Sequence, residues 1–81
     1  MDAKSITNKV IGIITETFLL QKDEVNEKSR MGYVKNWDSL NHLHLIISLE
    51  QEFGIDFHED EIVKMTSTTI IVEIISHKIS K

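Results

Sequence analysis

Apolar residues along the chain recur mainly at three- and four-residue spacing, the repeat of a helix with one buried face. In the first such stretch, Ser5 to Leu20, Ile6, Val10, Ile13, Ile14 and Phe18 share a face. The run is isoleucine-rich, but strict alternation fails at Ile13-Ile14, so the pattern predicts a helix, with Ser5 as its cap. Gln21 to Trp37 is polar and aperiodic. It reads as a long connection, pinned to the core by Val25, Met31, Tyr33, Val34 and Trp37. From Ser39 to Phe53, Leu40, Leu43, Ile46, Ile47 and Phe53 form a stripe, widened by Leu45 and Leu49. Apolar positions on most sides predict a central helix packed by several neighbours. Asp38 stands where an N-cap belongs and Gly54 where a helix stops. Ile55 and Phe57 tuck inward from a short link. Glu59 to Met65 predicts a short third helix, its first turn loaded with Glu59, Asp60 and Glu61 as the helix dipole prefers. Thr66 to Thr69 offers caps for a last helix reaching about Ile79, with Ile70, Ile71, Ile74, Ile75, Lys78 and Ile79 in register. The expected fold is all-α: a four-helix antiparallel bundle with a long first loop and a short third helix.

Composition narrows the picture. The 81 residues predict one domain spanning 1–81, with a thin core. The absence of proline and the three glycines argue against a turn-rich β sandwich. The absence of cysteine excludes a disulfide scaffold, a cysteine zinc site and a thiol nucleophile. No apolar run approaches the length of a membrane span, and Met1 to Lys4 lacks a signal peptide's apolar core. The expectation is a soluble cytoplasmic protein that does not bind membranes.

Net charge is −4, unevenly distributed. Between Asn36 and Val63 lie seven acids (Asp38, Glu50, Glu52, Asp56, Glu59, Asp60, Glu61) and no Lys or Arg. Nucleic-acid binders concentrate the opposite charge, so that class is disfavoured. An acidic stretch would steer a basic protein partner, or would simply be a solvated face.

Candidate chemistry centres on Asp38-Ser39-Leu40. A serine at a helix start usually caps amide groups, but Asp38 already occupies that position, which leaves the Ser39 hydroxyl toward solvent. Ser39, His42 and Asp38 are close enough to suggest a hydrolytic triad. With no oxyanion hole and little room for a pocket in so small a bundle, that reading fails, and no enzymatic activity is expected. His42 and His44, two apart on a helix, diverge too far to share a metal and read as surface residues. His58 marks the start of the third helix and His77 a solvated position. Glu59-Asp60-Glu61 lacks the spacing of a calcium loop.

Trp37-Asp38-Ser39-Leu40, then Leu43, Leu45, Leu49-Glu50, Glu52-Phe53-Gly54-Ile55 and Phe57, resemble the acyl carrier protein and peptidyl carrier family. The likeness continues through Glu59-Asp60-Glu61-Ile62 and Met65-Thr66-Ser67. It covers roughly the whole chain. It implies a four-helix bundle whose serine, here Ser39 beside its cap Asp38, receives 4′-phosphopantetheine from coenzyme A. A separate phosphopantetheinyl transferase attaches it with Mg²⁺, and acyl or aminoacyl groups then ride on the arm as thioesters. A phosphodiester at a helix N-terminus suits the dipole, and a cofactor thiol lets a cysteine-free chain do thioester chemistry. The resemblance implies docking of acyl-loading and acyl-transfer enzymes with basic patches on Leu40, Asn41, His44, Glu50, Glu59 and Asp60. It also implies an acyl-chain core of Leu49, Phe53, Phe57, Ile62 and Met65. Two departures stand out. Asn36 occupies a position where many members have glycine, and Asn41, His42 and His44 replace the acids that fatty-acid carriers place early in the second helix. The second departure points to a dedicated or secondary-metabolic pathway. The expected protein is a discrete monomeric carrier, since neither end is rich in proline or serine; the rival is a small helical adaptor without a prosthetic group.

Overall fold

Isoleucine at helical spacing gives α1, Ala3–Thr17, in a computed structural model that describes residues 2–80. A 3₁₀ turn, Lys22–Glu24, follows. Then come α2 (Ser39–Phe53), α3 (Glu59–Lys64) and α4 (Thr68–Ile79). The expected all-α fold with a long first loop and a short third helix is what the chain adopts. Among the described residues there is no strand, only an isolated bridge between Arg30 and Ser67. No helix is long and apolar enough to cross a membrane among those residues.

Helix α1 packs against both α2 and α4. Ile6, Val10, Ile14 and Phe18 from α1 and its C-terminal end meet Leu45, Ile46 and Leu49 from α2 and Ile71 and Ile75 from α4, all almost fully buried. Each such aliphatic side chain contributes about 1.5–3 kcal/mol on leaving water.

The helix ends follow local chemistry, with one correction. Asp2, not Ser5, caps α1: its Oδ1 accepts the Ser5 N–H at 2.8 Å. Hydrogen bonding from Ser5, its backbone N–H above all, holds the Asp2 carboxyl below its usual range. Ser5 lies inside the first turn because the better acceptor sits three residues earlier. Gly54 closes α2 in the left-handed region (φ 65°), its N–H donating to Glu50 O at 2.8 Å. Ser67 caps α4, Oγ accepting the Ile70 N–H at 3.2 Å.

The connection from Gln21 to Trp37 is irregular but tied down. The Met31 N–H donates to Thr66 O (2.8 Å) and the Thr68 N–H to Ser29 O (2.9 Å), lacing the loop to the start of α4. Val25 and Trp37 are buried, and Met31 and Val34 pack against the core. Tyr33 does not pin the loop as the sequence suggests. It is 79% exposed, with the Arg30 guanidinium 4.3 Å above its ring.

A third correction concerns α2. Its inward stripe is His42, Leu45, Ile46 and Leu49. Leu43 and Ile47, expected inside, are 52% and 53% exposed, and Leu40, placed both in that stripe and on the docking surface, is 65% exposed. Both stripes have helical spacing, so periodicity cannot choose between them. Packing chooses the one that brings Leu45 and Leu49 against α1 and satisfies both nitrogens of His42.

Candidate functional site

The start of α2 is built by three polar residues, each with a separate task. Asp38 Oδ1 accepts the Asn41 N–H at 2.9 Å, the N-cap bond the sequence predicts. Asn36 is left-handed (φ 69°), a conformation asparagine tolerates better than most residues. This accounts for asparagine where glycine is common. The Asn36 side chain donates to Phe18 O at 2.8 Å, and its carbonyl accepts from Asn41 Nδ2 at 2.8 Å. Asn41, expected to face a partner, is therefore half-buried with its amide committed to the loop that aims α2.

Ser39 is the first residue of the helix and is exposed. Among the described residues no side-chain hydrogen bond engages its hydroxyl. The cap is already filled, and the backbone N–H groups of Ser39 and Leu40, in the first turn of a 15-residue helix, have no intrahelical acceptor. An exposed hydroxyl beside free amides at the positive end of a helix suits an esterified phosphate. Among the described residues no group of His, Asp or Glu is arranged to hold a metal.

His42 overturns its sequence reading. It is 7% exposed, not a surface residue. Trp37 Nε1–H donates to His42 Nδ1 at 3.0 Å, and His42 Nε2 lies 2.9 Å from Ile62 O. Indole nitrogen only donates, so Nδ1 accepts and Nε2 carries the proton toward Ile62. The ring also stacks on Trp37, which tilts against Phe18. The sequence carried this signal only in part. His42 completes a 42, 45, 46, 49 stripe, and a donor-only Trp37 precedes it by five residues.

On α2, Leu40, Leu43, His44 and Ile47 are exposed, and on α3 so are Glu59, Asp60 and Val63. Glu50, expected to dock, is half-buried and accepts the Phe57 N–H at 2.9 Å, holding the link between α2 and α3. Glu61 accepts the His58 N–H at 2.8 Å and pairs with Lys78 at 2.9 Å. The backbone bond from His58, then Lys78, holds the Glu61 carboxyl below its usual range. Of the expected acyl-chain core, Leu49, Met65 and Phe57 are buried, and Ile62 is half-buried. Phe53 is also only half-buried, with Lys9 Nζ 5.9 Å from its ring centre, because it lies at the end of α2 beside the Lys9–Glu52 ion pair.

A short helical bundle presenting an unencumbered serine at the head of a long helix defines a class rather than a chemistry. No protein-family model matches the chain. It is 31% identical over 65 residues to an acyl carrier protein of Lactobacillus acidophilus, covering 80% of this chain and 81% of that one. It is also 26% identical over 80 residues to an acyl carrier protein of Thermosynechococcus vestitus, covering 99% of each. A further relative, 27% identical over 75 residues, is an acyl carrier protein of Coprothermobacter proteolyticus. The chain belongs to the acyl carrier protein family.

Proposed function

We propose that this protein carries acyl groups as thioesters on a 4′-phosphopantetheine arm esterified to Ser39. The observation that supports this most is the exposed Ser39 hydroxyl at the head of α2, with Asp38 filling the cap. In the attachment step the Ser39 oxygen attacks the coenzyme A phosphorus that bears the pantetheine. A phosphodiester bond forms, the bond to the adenosine bisphosphate breaks, and the serine proton passes to a base on the transferase. Once bound, the arm supplies the thiol that this chain lacks. The chain's own part is to hold Ser39 in solvent, to set the negative phosphodiester against the positive end of α2, and to present a recognisable surface. It performs no bond-making of its own.

The partners in this reading are a phosphopantetheinyl transferase and acyl-loading and acyl-transfer enzymes. Leu40, Leu43, Ile47 and His44 would meet an uncharged part of each partner, and Glu59 and Asp60 a basic part. The absence of acids from Ser39 to Leu49 supports a dedicated or secondary-metabolic pathway over housekeeping fatty-acid synthesis. A non-prosthetic adaptor has no comparable support, since nothing in it requires a free serine at a helix head.

Incubation with coenzyme A, Mg²⁺ and a broad-specificity transferase tests the reading. Intact mass should rise by one phosphopantetheinyl unit. An unchanged mass would return the adaptor. Modification should also slow with added salt, chiefly through apparent KM, because charge steers association and is screened within about 8 Å in physiological salt. Rates indifferent to salt would remove Glu59 and Asp60 from the docking surface and leave Ser39 untouched.

A further inference from the structure

Helix α3 buries no residue fully, and its Val63 is 74% exposed. It is held instead by side chains from its neighbours. From α4, Lys78 pairs with Glu61 at 2.9 Å. From α2, His42 Nε2 meets Ile62 O at 2.9 Å, a carbonyl near the end of α3 that among the described residues otherwise accepts only the Met65 N–H, at 3.3 Å. The same imidazole accepts from Trp37 Nε1 at 3.0 Å. One ring thus ties the end of the first loop, the first turns of α2 and the end of α3.

The position of this ring matters as much as its bonds. His42 follows Ser39 by three residues, so it lies about one helical turn along α2. Of the α2 side chains buried towards the core, His42 is the first after Ser39, ahead of Leu45, Ile46 and Leu49. Moving the ring would leave the buried Trp37 N–H without its partner and leave Ile62 O only the longer bond from the Met65 N–H, at 3.3 Å. Buried polar groups left unpaired are costly.

We propose that His42 is a specificity-determining latch that closes the seam between α2 and α3 beneath Ser39 and keeps a short acyl cargo on the surface of the domain. The proposal rests on Ser39 as the attachment point. It assigns the carrier to short or polar acyl groups, which gain little from the interior, over aliphatic chains that need shelter from water. His42 touches no reacting atom and acts only through Trp37 and Ile62.

The test compares wild type with His42→Ala, each loaded from acetyl- or hexanoyl-coenzyme A by a broad-specificity transferase, with loading checked by intact mass. In wild type the acetyl and hexanoyl forms should melt within about 1 °C of each other, and the Trp37 indole N–H resonance should not move between them. In His42→Ala the hexanoyl form should melt several degrees above the acetyl form. The difference between cargoes is the readout, since a merely structural loss would lower both forms alike. Wild type already stabilised by hexanoyl, or a variant indifferent to cargo, would overturn the latch. If His42→Ala does not fold, the wild-type indole decides: a shift on hexanoylation overturns the proposal, and its constancy upholds it. Failure to load would remove the Ser39 reading, and the latch would then stand or fall on amide exchange in the unmodified chains. That exchange should quicken at least tenfold in α3 relative to α1 in the variant, and equal exchange would overturn it.

Discussion

Helices α1 and α4 meet around a core of aliphatic side chains, whereas α3 adds half-buried Ile62 to that core and is fastened by an imidazole, an ion pair and a capped link. Ile6, Val10 and Ile14 on one side and Ile71 and Ile75 on the other are nearly inaccessible to water. Six-residue α3 has no comparable anchor of its own. Close-packed contacts tolerate little change. Polar ties can be broken and remade one at a time. The difference separates a rigid frame, which holds the head of α2 in place, from an adjustable wall beside Ser39. Low local stability is common where proteins meet ligands and partners.

The largest effect should follow from breaking the frame. Ile14→Ala or Ile75→Ala should each cost about 2–5 kcal/mol in denaturant unfolding. A loss under about 1 kcal/mol would mean that the frame is not close-packed. Phe53→Ala should cost less than the 3–5 kcal/mol typical of a fully buried phenylalanine, because its ring is shared between the core and Lys9. A full-sized loss would place Phe53 inside.

On the adjustable wall, the tie from Glu61 has a defined pH signature. Its carboxyl is lowered by the His58 amide and Lys78, so the folded state favours the ionised form. The stability it contributes is present above the ordinary glutamate range, about pH 4.3, and is lost as pH falls through the lowered folded value. Urea midpoints measured from pH 7 to pH 3 should fall less steeply for Glu61→Gln than for wild type. Parallel curves would show that the tie contributes nothing.

The smallest stability effect is expected outside both regions. Leu40→Ser with Ile47→Ser should change stability within about 0.5 kcal/mol, as exposed positions do, while slowing modification by a transferase. Unaltered modification kinetics would remove this stripe from the docking surface.

The bundle was legible in the sequence because its helices carry strong punctuation: Asp38, Gly54 and the acidic turn at Glu59 each mark an end. The face of α2 was not legible. Leu40-Leu43-Ile47 and His42-Leu45-Leu49 are both helical stripes, and a rule that places histidine outside chooses the wrong one. Only the Trp37 indole and the Ile62 carbonyl, brought in by the first loop and by α3, make His42 an interior residue. Asn36 was visible as a departure but not as a left-handed residue doing the work of glycine. Glu50 and Asn41 counted as surface polar groups until the fold supplied Phe57 N–H and Asn36 O as partners. The exposed position of Ser39 at the head of α2 was legible, since the adjacent aspartate already accounted for the cap.

The central claim is that Ser39, free of any structural duty, bears the arm. Wild type and Ser39→Ala should be treated in parallel with coenzyme A, Mg²⁺ and a broad-specificity transferase, and then measured by intact mass, peptide mapping and melting. Wild type should gain one phosphopantetheinyl unit on the peptide containing Ser39. Ser39→Ala should gain none, and should melt well within the roughly 1 kcal/mol that loss of a cap would cost, because Asp38 still accepts the Asn41 N–H. A mass gain in Ser39→Ala, or a modified peptide elsewhere in wild type, would contradict the account.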